Sequence, residues 1–217
     1  MKKFLVVILC LTGSYLFAQT GPSVRLNGYA TYAFDDNSVD SYYSNSSYFD
    51  GSLKGGFQYG GGLEVMVNPA YGLEVMYLRL DSEAPMYYWG TVTELFQTFD
   101  IAHNYIMLGF NRYLQVNPKL EPYGGFLLGM GVYNVENPDN GDTGSATKFA
   151  WGFRLGSNIW VNERIGLKIQ AQLLSATQSM GGGLYFGTGG AGAGVSTYSS
   201  YYQFNLGGGL VFKLGGR

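Results

Sequence analysis

The stretch that most constrains the fold is the run YYQFNLGGGLVFKL at residues 201–214, close to the C-terminus. Its alternate positions are bulky and apolar: Tyr202, Phe204, Leu206, Leu210, Phe212 and Leu214. The positions between them are mostly small, polar or charged: Gln203, Asn205, Gly207, Gly209 and Lys213. A period of two predicts a β-strand with two different faces. The stretch is also long enough to cross a bilayer as a tilted strand.

The same alternation recurs along the chain and predicts seven further strands. The eight predicted strands cover residues 24–35, 56–67, 72–81, 100–113, 123–134, 148–160, 166–175 and 201–214. Long connections at 36–54, 82–98, 135–146 and 176–200 alternate with short ones at 68–70, 115–122 and 162–163. In bacterial barrels the short turns face the periplasm and the long loops face outside. The sequence therefore predicts an all-β protein, an eight-stranded antiparallel up-and-down transmembrane β-barrel.

One predicted strand breaks the alternation. Leu73, Val75 and Tyr77 lie on one face, but Leu78 and Leu80 then place apolar side chains on the other. A β-bulge, which inserts one extra residue into a strand, accounts for such a switch. The connection that follows contains MYYWGTV and ELF, which indicates strands that project beyond the membrane.

The N-terminus has the pattern of a secretory signal peptide. Lys2 and Lys3 precede an apolar run, and a segment of small and neutral residues leads to a cleavage site between Ala18 and Gln19. This predicts a signal peptide at residues 1–18 and a barrel domain at 19–217. Cys10, the only cysteine, follows Leu9 where lipid attachment would need a small residue. The mature chain is then without disulfides and without a cysteine-based metal site.

Composition favours a membrane barrel over the alternatives. Charged residues make up 13% of the chain, against about 25% in soluble proteins. After the signal peptide no apolar run approaches the ~20 residues of a membrane helix. A soluble lipocalin-like barrel would carry its apolar face inside, whereas here the bulky apolar face is nearly free of charge. Because 15 acidic residues outnumber 13 basic ones, no nucleic-acid partner is expected.

Three stretches carry a resemblance to a known group: PYGGFLLGMGV at 122–132, GLKIQAQLLS at 166–175, and residues 179–212. They resemble small outer-membrane β-barrel proteins of Bacteroidetes-type bacteria, similar in architecture to the OmpW, OmpX and OmpA-transmembrane group. The resemblance implies a cell outer-membrane location and contact with outer-membrane lipids. It implies no catalytic set and no cofactor. Asn205, Gly207, Leu210 and Phe212 also resemble the C-terminal signal read by the barrel-insertion machinery.

Charged residues at lumen-facing positions form the main candidate site. They are Arg25, Glu64, Glu74, Arg154, Lys168 and Lys213. Buried charges persist only when they are paired. In an up-and-down barrel the first strand lies between the second and the last, so Arg25 should lie between Glu64 and Lys213. We expect Arg25 to bridge Glu64 and Glu74, with Lys168 and Lys213 nearby, and to close the periplasmic mouth.

Three functions are compatible with these observations. The first is a non-enzymatic envelope barrel whose outer loops bind lipid, polysaccharide or protein. The second is a narrow, porin-like conduit for small hydrophobic molecules, as the OmpW resemblance implies. Glycines at lumen positions would leave room for this conduit: Gly125, Gly129, Gly131, Gly152 and Gly156. Conductance separates these two functions.

The third function is that of an enzyme modifying lipid A, and it depends on His103, the only histidine. No serine stands two residues from it, so the sequence provides no locally activated nucleophile. Ser175, Ser179 and Asp100 could approach it only through folding. A structural role for His103 is favoured.

Acidic residues gather in the predicted outer loops: Asp36, Asp40, Asp50, Glu83, Glu94, Glu136, Asp139 and Asp142. They are typical of solvated loops. An alternative is that they bind divalent cations that also bridge lipid phosphates. The DNGD run at 139–142 lacks the downstream glutamate of a calcium loop.

Overall fold

The computed structural model describes residues 23–44, 47–89, 94–177, 183–187, 190–194 and 201–215. It contains twelve strands: β1 (Val24–Ala33), β2 (Asp36–Ser44), β3 (Ser47–Leu53), β4 (Gly56–Asn68), β5 (Tyr71–Trp89), β6 (Glu94–Tyr113), β7 (Leu120–Glu136), β8 (Thr143–Trp160), β9 (Ile165–Thr177), β10 (Gly183–Gly187), β11 (Gly190–Gly194) and β12 (Tyr201–Lys213). Within these ranges no helix has the length and apolar character needed to cross a membrane. The predicted signal peptide lies outside the described residues.

Eight of the strands form a closed ring. In order around it they are β1, β4, β5, β6, β7, β8, β9 and β12, and every neighbouring pair is antiparallel. β1 pairs with β12 from Arg25–Lys213 to Ala33–Asn205, so the first and last strands close the barrel. The prediction of an eight-stranded antiparallel up-and-down β-barrel is confirmed.

Side chains alternate between a buried interior and an exposed exterior, as a pleated strand requires. In β1 the inward Arg25, Asn27 and Thr31 are buried, while the outward Leu26 and Tyr32 are 44% and 52% exposed. The other barrel strands expose large apolar side chains in the same way. We call this outward surface the apolar band: Leu26, Phe57, Leu63, Val65, Leu73, Val75, Ile106, Leu108, Phe110, Met130, Phe149, Phe153, Leu155, Leu167, Ile169, Phe204, Leu206 and Leu210. A continuous outward apolar surface of this extent is typical of transmembrane β-barrels.

The short-turn end of the barrel carries the three predicted tight connections. Each is fastened by one asparagine whose Oδ1 accepts two backbone N–H groups: Asn68, Asn117 and Asn162. Asparagine favours such turns because its side chain mimics a backbone acceptor. The chain therefore reverses here within a few residues.

The opposite, extended end differs from the prediction in part. β5 and β6 continue through much of residues 82–98, as the MYYWGTV and ELF stretches indicated, whereas β7 and β8 also continue into residues 135–146, which were predicted to be a loop. The predicted bulge at residues 78–80 is also wrong, because the register of β5 with β4 and β6 is unbroken there. Leu78 and Leu80 point inward and are buried, whereas Arg79 and Asp81 point outward. Apolar side chains therefore move from the outward to the inward face of β5 at this point, while the backbone pairing continues unchanged.

The first and last long connections contain extra hairpins. β2 and β3 occupy most of residues 36–54, and β3 pairs with the upper part of β5. Two register shifts between β2 and β3 explain why this segment shows no period of two. β10 and β11 form a separate two-stranded sheet between β9 and β12.

The interior is layered along the barrel axis. Met66, Tyr113 and Tyr123 pack together near the short turns. Toward the extended end the lumen is filled by a larger apolar cluster whose members include Met76, Leu78, Tyr105, Met107, Leu127 and Leu174. Buried charged and amide side chains lie beside both clusters, as Glu64 does at Tyr113 and Gln203 at Leu174.

Candidate functional site

The centre of the lumen is an ion pair between Arg154 of β8 and Glu74 of β5, both fully buried. The Arg154 guanidinium also donates to Asn111 Oδ1 at 2.8 and 3.0 Å and to the Tyr29 hydroxyl at 3.0 Å. Glu74 Oε1 accepts from Asn27 Nδ2 at 2.8 Å and from the Tyr29 hydroxyl at 2.5 Å. Buried charges are tolerated when their remaining hydrogen-bonding positions are filled in this way. This layer ties β1, β5, β6 and β8 together across the lumen.

A second ion pair joins Arg25 of β1 to Glu121 of β7 nearer the short turns. The two guanidinium nitrogens of Arg25 donate to the two carboxylate oxygens of Glu121 at 2.8 and 2.9 Å. Asn158 Nδ2 also donates to Glu121, at 2.9 Å. The guanidinium lies 4.7 Å from the Tyr113 ring centroid and 5.4 Å from that of Trp160. A paired, planar contact of this kind fixes the Arg25 side chain in one orientation.

The remaining predicted charges have different surroundings. Glu64 accepts hydrogen bonds from Asn111 Nδ2 and the Tyr113 hydroxyl, each at 2.7 Å. The Lys168 ammonium is buried and lies 4.7 Å from the Tyr123 ring centroid. The Lys213 ammonium lies 3.9 Å from the ring of Trp160.

The pairing predicted for the charge cluster needs correction. Backbone registers are as expected: Arg25 lies between Glu64 and Lys213, and Glu64 is opposite Glu74. Among the described residues, however, the ion-pair partner of Arg25 is Glu121, and the cation on Glu74 is Arg154. Long arginine side chains cross this narrow lumen instead of contacting carboxylates on neighbouring strands.

Glu121 is the site residue that sequence reasoning missed. It lies in residues 115–122, which were predicted to be a turn, whereas β7 begins at Leu120. Extending the inward positions Tyr123 and Gly125 back by two residues would have placed Glu121 in the lumen. Its burial at 3% exposure agrees with that extension.

The lumen glycines do not leave the room that a conduit would need. A Cβ on Gly156 would lie 2.8 Å from the Tyr123 ring, and one on Gly131 would lie 2.9 Å from the Tyr133 hydroxyl. A Cβ on Gly125 would clash with Asn111. Cβ positions on Gly129 and Gly152 would clash with the backbone of the adjacent strand. The space beside each of these glycines is already occupied by a large side chain or by the backbone of the adjacent strand. The predicted free space is therefore not present at these positions.

The residues proposed for lipid A chemistry do not come together. His103 is fully buried on the lumen face, with its ring centroid 5.1 Å from that of Tyr133. Asp100 is exposed on the outward face. Ser175 pairs in register with Trp151 and Tyr202, also on the outward face. Ser179 lies outside the described residues.

A polar groove of about 950 Å³ lies beyond the apolar band on the extended strands. Glu83, Asp100 and Glu136 are directly opposite one another on β5, β6 and β7 and line it. Arg79 donates to Asp81 at the groove edge, and these hydrogen bonds lower the pKa of the Asp81 carboxyl. In the described part of the chain, no three His, Cys, Asp or Glu side chains are placed to hold a metal ion. Cation binding by the outer acidic residues stays a prediction.

The residues of the predicted insertion signal lie on both faces of β12. Asn205 is buried in the lumen, with Gly207 on the same face, while Leu210 faces outward in the apolar band and shares that face with Phe212. Their recognition by insertion machinery stays a prediction.

Two solved structures with the same architecture are a bacterial surface protein and a bacterial outer membrane protein. No protein-family model matches this chain, and no curated protein matches its sequence. Neisserial surface protein A superposes with a TM-score of 0.59 at 13% identity, over 88% of this chain and 97% of that one. The outer membrane protein OprG from Pseudomonas aeruginosa gives 0.56 at 12% identity, over 92% and 99%. At these identities the likeness concerns the fold, which is that of the small bacterial outer-membrane β-barrels.

Proposed function

We propose that this protein is a non-enzymatic barrel of the bacterial outer membrane that acts through its outer surface and not as a channel. The observation that carries this proposal is the filled lumen. Arg25–Glu121 crosses it near the short turns, Arg154–Glu74 crosses it at its centre, and a buried apolar cluster occupies it toward the extended end. The apolar band supplies the lipid-facing surface of such a protein.

Transport would require the removal of several well-bonded groups. A hydrophobic molecule leaving the apolar cluster would meet two buried ion pairs, and leaving a buried charge without its partner costs about 3–5 kcal/mol. A hydrated ion would meet a different obstacle, because Met76, Leu78, Met107 and Leu127 on β5, β6 and β7 offer it no polar group. The lumen geometry therefore favours a structural or surface-binding role over the conduit.

The extended strands offer the surface for such a role. They carry an outward polar face with the groove beside Arg79, Glu83, Asp100 and Glu136. We assign the extended end to the cell exterior and the short turns to the periplasm, as in other bacterial barrels. Partners at the extended end would be surface polysaccharide, protein or lipid head groups, while lipid tails contact the apolar band.

We expect the purified protein to show no conductance steps in planar lipid bilayers. Arg25→Ala should also remain closed, because the Arg154–Glu74 layer and the apolar cluster still fill the lumen. Lys54→Ala, an exposed change at the rim, is the matched control. Discrete conductance steps from the wild-type protein would favour the conduit instead.

The proposed orientation can be tested by cysteine labelling in intact cells, since the chain after residue 18 contains no cysteine. Thr147 is exposed near the extended end of β8, and Arg164 is exposed in a short turn. A membrane-impermeant maleimide should label Thr147→Cys in intact cells but label Arg164→Cys only after the outer membrane is permeabilised. The reverse pattern would invert the orientation, and labelling of neither after permeabilisation would indicate another location.

A further inference from the structure

One wall of the lumen carries buried polar atoms that no described residue satisfies. This wall consists of β8, β9, β12 and β1, which are consecutive around the barrel. The atoms are Asn158 Oδ1, Lys168 Nζ, Gln172 Oε1, Gln203 Nε2, Asn205 Oδ1, Arg25 Nε and Asn27 Oδ1. All seven residues are at most 4% exposed. Buried polar atoms are almost always hydrogen-bonded, to protein or to ordered water.

Six of the seven residues are neighbours in strand register, along one strand or through a shared partner. Asn205 is directly opposite Gln172, and Gln203 is the preceding inward residue on the same strand. Lys168 is directly opposite Asn158, which neighbours Arg25 through their shared carboxylate, Glu121. The set therefore extends along the wall from Gln203 toward the short-turn end.

The chemistry of the set restricts what can satisfy it. Lys168, Gln203 and Arg25 present donors, whereas Asn158, Gln172, Asn205 and Asn27 present acceptors. An anion could accept from Lys168 but could not donate to an amide oxygen. A metal cation could bind the amide oxygens but could not accept from an ammonium group. A molecule that both donates and accepts is needed, and water makes about three such bonds at buried sites.

We propose that β8, β9, β12 and β1 hold a row of ordered water molecules inside the closed barrel. We call the lumen wall formed by these four strands the wet wall. The opposite wall, built by β5, β6 and β7, carries Glu74, Asn111 and Glu121, whose side-chain polar atoms are bonded to described residues. Its other buried side chains include the apolar Met76, Met107 and Leu127. The hydration is thus confined to one side of the lumen. The Lys168 ammonium lies 4.7 and 5.5 Å from the ring centroids of Tyr123 and Tyr29, and no described residue accepts a hydrogen bond from it. Bound water therefore also explains how this charge stays buried.

The test is magnetisation transfer from water to side-chain amides, measured by ¹⁵N-edited rotating-frame NMR on the full mature protein in detergent micelles. We expect long-lived water contacts at the amide groups of Gln172, Gln203 and Asn205. Asn111 is the matched control, because its amide is equally buried but donates to Glu64 and accepts from Arg154.

Two results would overturn the proposal. Water contacts at fewer than two of the three wet-wall amides would show that these groups are not hydrated. Contacts of equal strength at Asn111 would show hydration throughout the lumen and not along one wall. Neither result would by itself make the barrel conduct, so the closed lumen of the proposed function is tested separately by conductance.

Discussion

Replacing Arg154 by methionine should lower the free energy of unfolding by about 3–5 kcal/mol, the usual cost of breaking a buried ion pair from one side. The variant leaves the Glu74 carboxylate in the lumen without its ion-pair partner and removes the donors to Asn111 and Tyr29. Urea-induced unfolding from lipid vesicles, followed by the fluorescence of the three tryptophans, measures the change.

Two further variants distinguish the ion pair from a general effect of losing an arginine. Arg112→Met removes an exposed guanidinium near the short turns and should change stability by less than about 0.5 kcal/mol. Combining Arg154→Met with Glu74→Gln should recover part of the lost stability, because the unpaired buried carboxylate is the main source of the cost. A loss below about 1 kcal/mol for Arg154→Met alone, the range of an exposed pair, would mean that the lumen is hydrated and open around it.

The barrel could be predicted from the sequence because its exterior is apolar. A lipid-facing strand must place bulky apolar side chains outward and leave its narrow interior to small or polar ones, so the period of two is strong in β8 and β12. Short turns were equally visible, since Asn68 and Asn162 provide the turn chemistry locally. The alternation and the turns depend only on residues close together in the sequence and on the surroundings of the barrel exterior.

The extended strands could be predicted only in part, because the environment changes along them. Up to Tyr77 the outward side chains of β5 are apolar and belong to the apolar band or border it. After Tyr77 the outward side chains are Arg79 and Asp81, and the apolar Leu80 packs inside the barrel. The alternation continues with its polarity reversed. In the sequence, such a reversal has the same pattern as a bulge or the end of a strand, although the backbone register of β5 with β6 is unchanged.

The ion-pair partners could not be predicted from the sequence for a geometric reason. Strand order and register determine which residues are neighbours on the wall, and those were predicted correctly for Arg25, Glu64 and Lys213. Side chains inside a narrow barrel also meet residues several strands away, as Arg25 meets Glu121. Those contacts depend on strand tilt and on which glycines give room, and neither is local in sequence.

Phe153→Arg should reduce folding into lipid bilayers strongly, because an arginine on the lipid face costs about 2–4 kcal/mol near the bilayer midplane. Phe153 points outward from the middle of β8 and is 52% exposed, with the Phe126 ring centroid at 5.1 Å and that of Trp151 at 5.6 Å. Losing these ring contacts adds about 0.5–1.5 kcal/mol per pair. Phe149→Arg and Leu210→Arg, also in the apolar band, should act in the same direction.

Thr147→Arg is the matched control for Phe153→Arg, because Thr147 is exposed on the same face of the same strand but lies beyond the apolar band. An arginine there meets water or lipid head groups and keeps its hydration, so folding should match that of the wild-type protein. The folded fraction is read from the heat-modifiable migration of the barrel on gels after refolding into vesicles. Equal folding of Phe153→Arg and Thr147→Arg would show that the β8 exterior does not contact hydrocarbon, and the assignment of the apolar band to the membrane would then be wrong.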